Sequence, residues 1–187
     1  QLDFLLREVG VELHHIELYA VASGPGSFTG LRVGLTAVKG WAEVYARPIA
    51  AVSALEAVAA QAHASARCLV PVIDARRGQI YGALYERLAD GLTCRGEGRV
   101  ESPSEFIDWL TAEFAAKKTE APLFVSPTPA VVYVMLEESG FASCRVEEAS
   151  PVLAPIVGQL GLERARRGAV VDALHLDAQY VRRSDAE

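Results

Sequence analysis

Cysteine is scarce and scattered in this 187-residue chain: Cys68, Cys94 and Cys144 form no CxxC or knuckle spacing, so the patterns of a zinc ribbon or a disulfide framework are missing. Separated thiols in odd number read as reduced cysteines, and a cytoplasmic setting is expected. The histidines His14, His15, His63 and His175 show neither HxxxH nor HExxH spacing, which leaves helix-borne zinc chemistry without support. Positive charge is not in excess either. Lys+Arg 18 against Asp+Glu 24 gives a net −6, so no global field exists to hold a phosphate backbone by counterion release, and any nucleic-acid role is local or borrowed from a partner. No run of about 18 apolar residues occurs and the first residues show no basic-then-apolar leader, so no membrane partner is expected. What is present is the composition of a compact globular protein, 51% hydrophobic and 22% charged.

Apolar spacing then divides the chain into alternating elements. Leu2, Leu5, Leu6 and Val9 recur at helical intervals up to Gly10. Residues 18–22 form a brief apolar run, residues 23–30 a Gly/Pro/Ser loop, and residues 31–45 a long helical pattern, the order strand, turn, helix. Residues 49–52 read as a buried strand, followed by Ser53 and Glu56 as a capping box that opens a helix to about residue 66. Beyond it, residues 68–74 and 79–86 read as a hairpin around a turn at 75–78, and 92–100 as a further strand. Ser102, Pro103 and Glu105 supply an N-cap, a first-turn proline and a capping-box acid for a helix to about residue 117. A strand at 123–125, a helix at 130–139, a strand at 144–146 and a helix at 154–167, stopped by Gly168, complete the pattern. Two α/β halves follow, 1–67 and 68–187, and the first offers only two strands where a sheet ordinarily has several.

Three places could carry chemistry or contacts. Gly24-Pro25-Gly26-Ser27-Phe28-Thr29-Gly30 lies between a strand and a helix, where backbone N–H groups and the helix dipole favour an anion. It fits neither a Walker loop, which needs Lys then Ser/Thr where Leu31 and Arg32 stand, nor a dinucleotide fingerprint, which needs glycine at Thr29. A plain tight turn is the alternative. The helix that follows is apolar nearly all round: Leu31, Leu35, Val38, Ala42 and Tyr45 on one face, and Val33, Gly34, Ala37, Gly40, Trp41 and Val44 over the rest. Such a helix is buried on several sides, and Gly34, Ala37 and Trp41 form a stripe suited either to a docking partner or to the chain's own core. Asp74-Ala75-Arg76-Arg77-Gly78 puts an acid at a strand end and two guanidinium groups in a turn, able to grip a phosphate or simply be solvated. Arg164, Arg166 and Arg167 sit where a helix dipole favours cations. No nucleophile elbow or Ser/His/Asp arrangement stands out.

GPGSFTGLRVGLTAVKGWA at 24–42, SALEA at 53–57, VIDARRGQIYGALY at 72–85 and AQYVRRSDAE at 178–187 together resemble the TsaB family, also called YeaZ, within the actin-like ATPase superfamily catalogued beside M22-type glycoproteases. The resemblance implies an actin-like, hexokinase-type (ribonuclease H-like) fold of two α/β halves, with the helix at 154–167 packing back on the first half. It also implies that the family's first strands and their phosphate loop are missing from this chain. It implies a non-catalytic subunit that pairs with TsaD and the ATPase TsaE for threonylcarbamoylation of adenosine 37 in tRNAs reading codons that begin with A. Catalytic residues and metal would then be none in this subunit, ATP and metal belonging to the partners, and the glycoprotease label lacks metal ligands here. The family's helix-pair contact maps onto Leu2, Leu5, Leu6, Val9, Leu31, Gly34, Leu35, Ala37, Val38, Trp41 and Tyr45. A degenerate nucleotide or anion loop maps onto Gly24, Gly26, Ser27, Thr29, Gly30, Asp74, Arg76 and Arg77. An ATP-dependent phosphotransferase or ATPase of the same fold, and a homodimeric structural module, are the alternatives.

Overall fold

The computed structural model describes residues 2–115 and 120–178. Helix α1 (Leu2–Glu8) is followed by a 3-10 turn at Leu13–His15 and strand β1 (Tyr19–Gly24), then α2 (Phe28–Tyr45), β2 (Ile49–Ser53) and α3 (Ala54–Ala59). Strands β1 and β2 pair in parallel, Tyr19 opposite Ile49 and Ala22 opposite Val52, with α2 as the crossover that such pairing requires. Period-two alternation sorts their side chains to two faces. Tyr19, Val21, Ile49 and Ala51 meet Leu35, Val38 and Ala42 of α2, whereas Ala20, Ala22 and Val52 meet Ala57 and the last helix, α6 (Ala154–Arg166). The residues on that second face are small. A Cβ built at Gly161 of α6 would stand 2.5 Å from the Ala20 Cβ and 3.4 Å from the Ala50 Cβ, so glycine there is what lets helix and sheet approach so closely. Val171 beyond α6 bridges antiparallel to Ile49.

The second sheet is built around β3 (Cys68–Arg76). On one edge β3 pairs antiparallel with β4 (Gln79–Gly82) and β5 (Tyr85–Leu88), in registers that form one continuous line from Asp74 opposite Ile80 to Cys68 opposite Glu86. The expected single strand at 79–86 is thus split in two. The break falls opposite Pro71, whose ring nitrogen has no hydrogen to donate to a ladder. The expected strand at 92–100 is split as well: β6 (Gly91–Cys94) pairs with β5 and β7 (Arg99–Glu101) with β4, with residues 95–98 looping between them. On the other edge of β3 lie β8 (Leu123–Ser126) and then β9 (Val146–Glu148), both parallel. Helices α4 (Pro103–Ala115) and α5 (Pro129–Leu136) cover one face, where Phe106, Leu110 and Val132 pack on Val70, Val72 and Phe124. The Phe106 ring lies directly over Gly82, where any Cβ would collide with it.

Helix α3 lies between the two sheets, and all its residues but Glu56 are buried. Leu55, Val58 and Ala59 face Leu69, Leu123 and Val125 of the second sheet, and Ala57 faces the first. It is shorter than the expected span to residue 66, and the expected capping box does not form: Ser53 makes no side-chain cap bond and Glu56 pairs with Arg164 of α6 instead. At α4 the capping box is present, with the Ser102 N–H donating to Glu105 Oε2 at 3.0 Å and the Glu105 N–H to Ser102 Oγ at 3.4 Å. The expected end of α4 near residue 117 and nearly all of the 178–187 motif lie outside the described residues.

Candidate functional site

The loop after β1 is held more tightly than an open anion cradle. Ser23 and Gly24 are buried, and Ser23 Oγ donates to the Val52 carbonyl at 3.3 Å. Gly24 takes φ 120°, a conformation natural to glycine. Ser27 caps α2, its hydroxyl accepting from the Gly30 N–H at 3.3 Å, so α2 begins at Phe28, three residues before the expected start. One amide a phosphate would seek is therefore already engaged. Gly26 is half-buried with open space beside it, and Thr29 and Gly30 are exposed.

Helix α2 divides the expected contact residues into two groups. Leu35 and Val38 are buried in the chain's own core against Tyr19, Ile49 and Leu176, and this corrects their placement on a partner face: at i and i+3 they share the stripe that covers the β-sheet. Leu31, Gly34, Ala37, Trp41 and Tyr45 are half-buried, and Trp41 leans on Tyr19 with ring centroids 6.0 Å apart. The outer side carries Val33 and Val44, 65% and 75% exposed, and a Cβ at Gly34 or Gly40 would meet nothing within 4 Å. Helix α1 buries no residue; Leu2, Phe4, Leu5 and Val9 are exposed and Leu6 is half-buried.

The basic turn caps the β3–β4 hairpin. Arg77 and Gly78 take φ 56° and 73°, the positive angles that a two-residue hairpin loop demands, and Arg76, the last residue of β3, is also left-handed at φ 63°. Asp74 is turned onto its own hairpin: Oδ1 accepts from the Arg76 N–H at 2.7 Å, and Oδ2 lies 3.2 Å from the Arg76 guanidinium. Its carboxylate holds the bulge and the arginine together.

Between the sheets lies a cleft of about 690 Å³. Pro25, Ser53, Glu56 and Arg164 line one wall, and Tyr85, Thr93, Cys94 and residues 96–98 the other. Of the expected anion-loop residues none is in this lining, which takes only Pro25 from the first loop and nothing from 74–78. Burial pushes the Tyr85 hydroxyl above its ordinary range; Ser53 and Cys94 lie within its hydrogen-bonding reach. Burial also raises the Cys94 thiol and the Glu56 carboxyl, the latter against the pull of Arg164. Sequence reading missed Ser53, Glu56, Tyr85 and Cys94 as cleft residues, because Ser53 and Glu56 fitted a cap and the other two fitted strands. Among the described residues no group of three or more His, Cys, Asp or Glu side chains could hold a metal ion, and no helix is long and apolar enough to cross a membrane.

Two α/β layers, a mixed sheet with parallel and antiparallel edges, and a cleft between them define the class: a protein of the actin-like fold. Solved structures share it. A Pseudomonas aeruginosa protein described as similar to peptidase YEAZ superposes with a TM-score of 0.75 at 26% identity, over 97% of this chain and 81% of that one. YeaZ from Pseudomonas aeruginosa superposes with a TM-score of 0.72 at 24% identity, over 96% and 80%. A family model described as TsaD, tRNA N6-adenosine threonylcarbamoyltransferase, matches residues 1–134. The chain is 35% identical over 135 residues to the tRNA threonylcarbamoyladenosine biosynthesis protein TsaB of Bacillus subtilis, covering 72% of this chain and 56% of that protein. It is 37% identical over 90 residues to TsaB of Escherichia coli, covering 47% and 39%. The chain thus spans about half the length of the curated relatives it matches. It belongs to the TsaB/YeaZ family of TsaD-like domains.

Proposed function

We propose that this chain acts in threonylcarbamoyladenosine biosynthesis on tRNA as a non-catalytic subunit that docks TsaD, with TsaE joining the pair and ATP and metal held by those partners. The observation that carries the reading is the apolar surface outside α2 and along α1. Val33 and Val44 stand out on a helix whose opposite stripe is already buried, and Phe4 and Leu5 stand out on a helix with no buried residue, with exposed Val9 just beyond its end. Exposed apolar side chains on a helix surface are what a partner's helices cover. The engagement of Asp74 by Arg76 and of the Gly30 amide by Ser27 weighs against the ATPase alternative, since both groups would have to be released for a phosphate.

The test is the solution mass of the chain alone and mixed with TsaD from the same source, by size-exclusion chromatography with light scattering. A one-to-one or two-to-two species that is lost with Val33→Glu supports the reading. A complex indifferent to Val33→Glu moves the docking face elsewhere, and failure to form any complex removes it. Doubling of mass in the chain alone would favour the homodimeric module.

A further inference from the structure

The β6–β7 connection has a construction that neither the docking face nor the fold requires. Gly96, Glu97 and Gly98 form the wall shared by two open spaces, the cleft of about 690 Å³ that holds Cys94 and Tyr85 and a groove of about 600 Å³ beside Trp109. Among the described residues these three make no hydrogen bond or ion pair, and a Cβ at Gly96, which sits at φ +85°, would meet nothing within 4 Å.

The residues on either side are fixed. The Arg95 N–H donates to the Leu84 carbonyl at 2.7 Å and its guanidinium pairs with Glu86, which is buried and also held by Arg67 at 2.7 Å. The Arg99 guanidinium pairs with Glu101 and lies 5.0 Å from the centre of the Trp109 ring. Two anchored arginines thus bracket three residues of which two are glycines, whose backbone changes φ and ψ at little steric cost, and room exists on both sides for such a change. Hinges of lids are built from a few residues of this kind.

We propose that residues 96–98 are a flap on the interlobe cleft, pivoting at Arg95 and Arg99 and opening by displacement toward the Trp109 groove. Its position sets how far a small molecule reaches the Ser53, Tyr85 and Cys94 side chains. The proposal does not depend on the docking face.

Cys94 lines the cleft two residues before the flap and serves as the reporter. Site-resolved alkylation by iodoacetamide at fixed pH, read by mass spectrometry on the full chain, follows Cys94 with Cys144 as internal standard. Gly98→Ala removes backbone freedom within the flap, next to the Arg99 pivot, and the expected result is a Cys94 rate at least threefold lower with the Cys144 rate unchanged. Equal Cys94 rates in the two proteins overturn the flap. Hydrogen exchange of the unsubstituted chain gives an independent answer should Gly98→Ala fail to fold. The amides of 96–98 are expected to exchange at least a hundredfold faster than those of β6, and protection equal to that of β6 overturns the proposal.

Discussion

Two glycines three residues apart on α6 should respond to the same substitution with opposite signs. Gly158 and Gly161 both lie inside the helix, so replacing either by alanine relieves the helix of about 1 kcal/mol of glycine cost. At Gly158 the added methyl meets nothing within 4 Å, and the whole gain is realised. At Gly161 it would stand 2.5 Å from the Ala20 Cβ and 3.5 Å from the Ala20 Cα. An alanine methyl belongs to the backbone and has no rotamer with which to withdraw, so α6 has to lift from the sheet, at a cost of about 1–3 kcal/mol for overpacking. The two effects leave Gly161→Ala neutral to about 2 kcal/mol destabilised, and a gap of about 1–3 kcal/mol between the two variants. At this chain length that is a difference in Tm of about 2–12 °C, measurable by thermal or urea unfolding of the variants side by side. A Gly161→Ala protein as stable as Gly158→Ala would show that the close approach of α6 to β1 is not real.

Gln61 ties the two chain crossovers between lobes, its Nε2 donating to the Ser150 carbonyl at 3.3 Å and its Oε1 accepting from the Ser150 N–H at 2.8 Å; Gln61→Ala should lose about 1–2 kcal/mol in urea unfolding. Glu56 has its carboxyl raised mainly by burial, so the folded state holds the proton more tightly than the unfolded one. Stability should therefore fall as pH rises from the ordinary carboxylate range through the raised value, and Glu56→Gln should flatten that slope in unfolding curves taken across acidic pH. Ser102→Ala removes the cap at α4 and should cost about 0.5–2 kcal/mol, read as a lowered urea midpoint with unchanged slope.

Local chemistry alone makes much of the architecture readable. Ser102 and Glu105 mark the start of α4, Gly168 the end of α6, and the strand–helix–strand order of residues 18–22, 31–45 and 49–52 marks the parallel pair. What was not readable depends on partners distant in the chain. Ser53 and Glu56 have the spacing of a capping box, yet Glu56 turns to Arg164, more than a hundred positions away, because α3 is enclosed on nearly every side. The split of the 79–86 strand follows from Pro71 on the neighbouring strand. On α2 the composition tells that several sides are apolar without telling which faces inward, so nothing in it separates Leu35 and Val38, buried in the chain's own core, from their half-buried neighbours Gly34, Ala37 and Trp41. The cleft was the least legible part, since its walls join side chains from three strands and two helices.

The placement of α6 has a consequence for how the chain is made. The first sheet is finished in sequence at Ser53, but the helix that covers its small-residue face ends only at Arg166. At a synthesis rate of about 5–20 residues per second, the face of β1 and β2 lined by Ala20, Ala22 and Val52 waits on the order of 5–20 seconds for its cover. Any nascent chain halted in that interval presents a bare apolar patch to whatever is near the ribosome, and α6, far along the chain, decides when the first lobe is safe from aggregation.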